Sequence, residues 1–146
     1  RSDRMEYDYM NQKQQNEYSK QIHCLALNIY FESRGESYLG REAVAWVTLN
    51  RLYNGNYGKT ICEVVWEKNQ FSWTNDGKSD KPIDKKAWID SLYIAQLIYD
   101  YYFVYNDPTQ GSVMFHKASL KPYWKNKYDR VVRIDNHIFY KEKTDG

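Results

Sequence analysis

The chain is 146 residues long, 42% hydrophobic and 27% charged, with a formal net charge of +2 and a pI near 8.4. That length fits one domain burying roughly two-thirds of its unfolded surface, and no apolar run is long enough to span a bilayer. Its Lys, Arg, Asp and Glu are interspersed, with no basic tract of the kind that follows a phosphate backbone, so nucleic acid is not an expected partner.

Residues 1–20 are polar, rich in Gln, Asn, Lys and Tyr, and lack a sustained apolar period. They are expected to form a loosely packed lead-in, with a single domain over residues 21–146. From Ile22 the pattern changes: Ile22, Leu25, Ala26, Ile29 and Tyr30 recur at three- and four-residue spacing, which predicts a helix with one buried face. Gly35 supplies its stop, since glycine enters the left-handed cap conformation without steric cost. Glu32 therefore falls in the last turn of a largely buried helix. There the negative end of the helix dipole and partial desolvation both disfavour ionisation, and a raised pKa suits a general acid working near neutral pH. Taken alone the position is weak evidence, because most last-turn glutamates are solvated.

Leu39, Ala43, Val44 and Val47, with Trp46 and Leu49 alongside, predict a second helix ending near Tyr53, before the turn residues Asn54-Gly55-Asn56. Thr60-Ile61-Cys62-Glu63 reads as a capping box opening a short third helix that ends near Glu67. Residues 69–83 have no helical period and form a long ordered loop, whose start, Gln70-Phe71-Ser72-Trp73, joins hydrogen-bonding groups to two aromatics. Asp84 caps a fourth helix with a Trp88, Leu92, Ala95, Tyr99 stripe, expected to run to about Tyr105 as core scaffold. From Gly111 the pattern turns strand-like: Val113 and Phe115, then Val131 to Ile134 and His137 to Tyr140 around a hairpin turn at Asp135-Asn136. The fold class is α+β, mostly helical, with a small antiparallel β element near the C-terminus.

Fifteen tyrosines and five tryptophans exceed what so small a core needs. Core filling accounts for most of them, but a flat apolar face joined to a polar edge also suits binding clefts and the C–H face of a sugar ring. Cys24 and Cys62 are too few and too far apart for a zinc motif, and a disulfide and two free thiols are both open. His23, His116 and His137 lack metal-ligand spacing, so neither metal nor cofactor is expected. The chain begins at Arg1 with no positive segment followed by an apolar core. Any export signal is therefore expected to be absent or already removed, and the compartment is not directly legible. A monomer is the default expectation.

The stretch CLALNIYFESRGESYLGREAVAWVTLNR resembles the signature of the SleB-type cell-wall hydrolases, the family of the spore cortex-lytic enzymes. That signature reads approximately apolar-apolar-Tyr-x-Glu-Ala-Arg-Gly-Glu, then Gly-x-x-Ala-Val-Ala and Asn-Arg. Later blocks match in the same order: Gln70-Phe71-Ser72-Trp73, Gly111 to Trp124 around His116, and Ile134-Asp135-Asn136-His137-Ile138-Phe139-Tyr140. The resemblance covers roughly residues 22–141. In two places the chain departs from the pattern: Ser33 replaces the usual Ala, and Met114 stands where many members have a histidine, leaving His116 alone there.

The resemblance implies a lysozyme-like compact domain that cleaves peptidoglycan glycan strands between N-acetylmuramic acid and N-acetylglucosamine as a lytic transglycosylase. It places the catalytic glutamate at Glu32, with Tyr30, Arg34 and Glu36 at flanking motif positions. Gln70, Ser72 and Trp73 are assigned to the cleft as polar partners and an aromatic platform for a sugar. His116, Tyr123, Trp124 and Tyr140 are further cleft candidates, each with a scaffold alternative, and His137 reads as scaffold beside the hairpin turn. A hydrolytic muramidase would need a second carboxylate, for which Glu36, Asp76 and Glu42 are candidates. A non-catalytic glycan-binding module would explain the aromatics without Glu32. The expected place of action is the cell wall, whether periplasmic, extracellular, in a spore or delivered by a phage.

Overall fold

The computed structural model describes Tyr7, residues 9–67 and residues 70–144. Helix α1 spans Gln12–Ser33, α2 Tyr38–Asn54, α3 Ile61–Trp66 and α4 Lys85–Tyr101, followed by strands β1 (Met114–Lys117), β2 (Tyr128–Ile134) and β3 (His137–Glu142). The sheet is antiparallel in the order β1-β3-β2, so the last strand is its centre. Among the described residues, no helix is long and apolar enough to cross a membrane.

Where it is described, the lead-in is helical from Gln12 onward and mostly exposed. Asn11 opens α1 with a capping box, its side chain accepting from Gln14 N while its own N–H donates to the Gln14 side chain. One anchor replaces the missing apolar stripe: Tyr18 donates to Asp100 at 2.8 Å and packs edge-on against Tyr99. A helix extended by a cap and one aromatic contact leaves no periodicity to read. Residues 1–6 and 8 of the lead-in lie outside the described residues.

Helix α1 runs through the core, where Leu25, Ala26 and Ile29 are fully buried against Leu49 of α2, Ile61 and Val65 of α3, and Ile94, Ala95 and Ile98 of α4. Cys24 and Cys62 form a disulfide that ties α1 to α3, settling the open alternative. Helix α2 is buried all round from Ala43 to Arg51 because it has neighbours on two sides. Ala45, Trp46 and Leu49 join the helical core, while Ala43 and Val47 form a second cluster with Ile134 and Phe139 of the sheet. That arrangement brings the sheet against the N-terminal half of α2, beside the end of α1.

Two predicted helix ends need correction. Gly35 is not a left-handed cap: α1 ends at Ser33, Arg34 keeps right-handed dihedrals with its N–H on Tyr30 O, and Gly35 does not have positive φ. The corner instead closes by Glu36 N donating to Ser33 O at 2.9 Å. Helix α4 stops at Tyr101, short of Tyr105. Tyr102 turns back to stack on Tyr53 and donates its hydroxyl to Asn50, while Phe103 and Val104 have no core to face and stay exposed. By contrast α2 ends as predicted, with Gly55 left-handed at φ 88°.

Candidate active site

The corner between α1 and α2 is held by the β2–β3 turn. Asp135, with φ 51° in that turn, accepts from both the N–H (2.9 Å) and the hydroxyl (2.6 Å) of Ser37, the N-cap of α2. These bonds stabilise the Asp135 carboxylate and lower its pKa. One residue on, Asn136 donates its N–H and side-chain amide to the two oxygens of Glu36, at 3.1 and 3.3 Å. The approach is close enough to demand glycine at position 40, where an added Cβ would lie 2.5 Å from Asp135 Oδ2. Glu36 is thus a clamp between the helical corner and the sheet, and its oxygens are already engaged.

Glu32 lies just before this corner, where two troughs meet. The larger, of about 820 Å³, runs along the corner toward the sheet and is lined by Arg34, Gly35, Glu36, Lys117, Arg133 and His137 among others. The smaller, of about 500 Å³, runs beneath the 72–83 loop and includes Tyr30, Ser72, Trp73, Asp76 and Asp80. Phe31, Glu32, Arg34 and Lys117 line both. Burial raises the pKa of Glu32 to about 7; the charges of Arg51 and Lys117 oppose the shift without cancelling it. A carboxyl poised there can give up a proton and take one back near neutral pH.

The loop bearing the smaller trough is anchored from below. Trp73, expected as a platform for a sugar ring, is only 6% exposed; its Nε1 donates to Asn28 Oδ1 at 2.8 Å, and Asn28 in turn donates to Thr48. Its ring stacks on Phe31 at 4.9 Å, so the more accessible member of that pair, lining both troughs, is Phe31. Ser72 is exposed at the trough, and Tyr30 is buried beneath it with its hydroxyl accepting from Asp84 N. Arg34 lies over the Tyr30 ring at 4.6 Å.

The remaining predicted cleft residues line neither trough. His116 is 8% exposed with both ring nitrogens engaged, Nδ1 at 2.7 Å from Lys117 O and Nε2 at 2.8 Å from the Tyr140 hydroxyl. Trp124 packs edge-on against both rings, completing a scaffold cluster in which Tyr140 is buried. Tyr123 is 88% exposed, and Gln70 is partly buried with its N–H on Glu67 O. Conversely, His137 lines the larger trough. It is 3% exposed, and its Nδ1 lies 3.4 Å from Glu36 Oε1 but is misaligned for a hydrogen bond. Burial lowers its pKa, favouring the neutral ring. Lys117 and Arg133 were not anticipated, although Lys117 lies inside a matched block and Arg133 adjoins one; exposed cations on short strands give no pattern from which a groove could be read.

The cell wall hydrolase family model matches residues 35–140, a range that begins just after Glu32. Spore cortex-lytic enzymes are similar: that of Bacillus cereus is 32% identical over 124 residues, and that of Oceanobacillus iheyensis 38% identical over 124 residues. These alignments cover 82% of this chain but 44% and 41% of the relatives, so the chain spans less than half their length. Among solved structures, the catalytic domain of the Bacillus cereus SleB protein superposes with a TM-score of 0.66 at 28% identity, covering 84% of this chain and 91% of that one. The catalytic domain of the germination-specific lytic transglycosylase SleB from Bacillus anthracis gives 0.66 at 30% identity, covering 83% and 93%. With the corner, the troughs and the central β3 strand all inside the matched range or next to it, this chain belongs to the cell wall hydrolase family.

Proposed function

We propose that this chain, acting as a monomer at the cell wall, cleaves peptidoglycan between N-acetylmuramic acid and N-acetylglucosamine as a lytic transglycosylase. Glu32 is its catalytic residue. The observation that carries the reading is a carboxyl with a pKa near 7 at the junction of two troughs, which suits a polymer lying through both with the scissile bond at the junction. The spore cortex-lytic relatives support the choice of polymer.

The neutral Glu32 carboxyl donates its proton to the glycosidic oxygen, the C1–O bond breaks, and positive charge develops at C1 of the muramic acid. The Glu32 carboxylate then accepts the proton of that sugar's 6-hydroxyl, whose oxygen bonds to C1 and closes an anhydro ring. No water is consumed, and Glu32 ends neutral. Arg51 and Lys117 favour the charged intermediate form of Glu32, limiting how far burial raises its pKa. Burial thus supplies the acid, and the two cations make the base accessible.

Mass spectrometry of fragments released from purified peptidoglycan tests this, with Glu32→Gln as control. Ends carrying anhydro-muramic acid, one water lighter than hydrolytic fragments, are expected from the wild type and none from the variant. Reducing ends would replace the mechanism with a hydrolytic one and direct attention to Asp76 and Asp80. Retained cleavage by Glu32→Gln would remove Glu32 from the chemistry.

A further inference from the structure

The two troughs share Arg34 and Lys117 and differ in their other charged residues. Arg34, Lys117 and Arg133 line the larger one, and among the described residues none of the three forms an ion pair with a carboxylate. Arg34 lies over the Tyr30 ring and donates to the Tyr30 carbonyl, and Arg133 donates to the backbone oxygen of Asp135. The nearby carboxylates are committed elsewhere: Glu36 to Asn136, and Asp135 to Ser37. The smaller trough adds Lys78 and Lys81 to Arg34 and Lys117, with Asp76 and Asp80 interspersed among them. Unpaired like charges along one wall repel each other and draw in an anion. Lys117 is on β1 and Arg133 on β2, and both line this trough.

Peptidoglycan glycan offers one place for such a group. N-acetylglucosamine has nothing that ionises, whereas N-acetylmuramic acid bears a lactyl substituent ending in a carboxyl that is either free or extended by a stem peptide with carboxyls of its own. Resting on the glycan-cleaving reading above, we propose that the larger trough binds a carboxylate on the muramic acid substituent through Lys117 and Arg133. The site thereby selects strands by the charge of that substituent as well as by their sugars. A free lactyl carboxylate and a stem-peptide carboxylate share this chemistry.

The test compares kcat/KM on three glycan strands: one bearing stem peptides, one stripped to the free lactyl carboxylate, and one stripped and then amidated to remove the charge. The wild type is expected to lose at least tenfold on the amidated strand relative to the better of the two charged ones. A preference for the second strand assigns the lactyl carboxylate, a preference for the first assigns the stem peptide, and equal rates on the two show that a carboxylate from either source is bound. In Lys117→Gln with Arg133→Gln, the ratio of charged to amidated strands is expected to fall to within twofold, and Arg133→Gln alone should lower it partway. Wild-type rates within twofold on all three strands would overturn the proposal, as would a double variant that keeps the full preference. If the double variant fails to fold, the wild-type series and the single variant decide. Loss of Glu32 dependence, or no release from any strand, would instead overturn the cleavage reading beneath it.

Discussion

Glu32 and His116 are both polar side chains in largely apolar surroundings, and their environments teach opposite things. His116 has a partner for each ring nitrogen and an aromatic lid in Trp124. The pKa of Glu32 is shaped by burial and two cations, with no hydrogen bond among the described residues to hold the carboxylate form. A buried polar group whose bonding capacity is satisfied stiffens the fold; one left unsatisfied at the edge of a groove keeps that capacity for a substrate. By the same criterion Trp73 and Glu36 belong with His116, although motif matching had grouped both with Glu32.

The largest effect expected from breaking this contrast is at Glu32. Glu32→Gln should lower kcat by about 10²–10⁴-fold, the usual worth of a general acid–base group, measured by release of soluble fragments. The same variant should be more stable than the wild type in alkali. A folded pKa near 7, above the ordinary carboxyl value, means that wild-type stability is greatest below about 4.5 and is lost as pH rises through 7. Urea unfolding at pH 8.5 should favour Glu32→Gln by about 2–3 kcal/mol, and the advantage should vanish at pH 4. An advantage independent of pH would show that Glu32 is not buried uncompensated.

Next come changes to the scaffold that holds Glu32 in place. Replacing Cys24 and Cys62 together by serine opens a link spanning 38 residues, and thermal or urea unfolding should show a loss of about 2–4 kcal/mol. Gly40→Ala forces apart α2 and the Asp135 carboxylate at a cost of about 1–3 kcal/mol. Here kcat/KM is expected to fall as well, since the corner beside Glu32 moves with the clamp; unchanged activity would detach the clamp from the site. His116→Phe leaves the Tyr140 hydroxyl and Lys117 carbonyl without their partner, for about 1–2 kcal/mol of stability. Its kcat/KM should stay within about threefold of wild type, and a larger loss would move His116 out of the scaffold class. The smallest effect is a displacement along the pH axis. Activity requiring protonated Glu32 falls as pH rises through about 7, and Lys117→Met removes a cation that lowers this pKa, so the falling limb of kcat should move to higher pH.

Legibility in the sequence followed the range of the interactions involved. The Thr60 and Asp84 caps, the Gly55 stop and the Asp135-Asn136 hairpin were readable because each is a bond or dihedral within a few residues. The start of α1 was not, because the Tyr18 anchor lies 82 positions away on α4. Within the candidate site, Glu32 was marked by its helix and by the family motif, but the motif could not separate lining residues from those that hold the lining up. Tyr140 sits in a matched block yet faces inward and Trp73 is largely buried beneath the trough it borders, whereas Lys117 and Arg133, on the groove wall, carry no periodic signal.

The helices, the hairpin and the position of one carboxyl at the end of a buried helix follow from local order in the chain, since hydrophobic period and capping chemistry act over a few residues. Which polar groups are satisfied and which stand open to a substrate depends on how distant segments pack. Glu36 meets its partner Asn136 across 100 positions, Ser37 meets Asp135 across 98, and Trp73 meets Asn28 across 45. Burial and pairing are properties of the packed chain, and they separate the groups left free for chemistry from those bound into the scaffold.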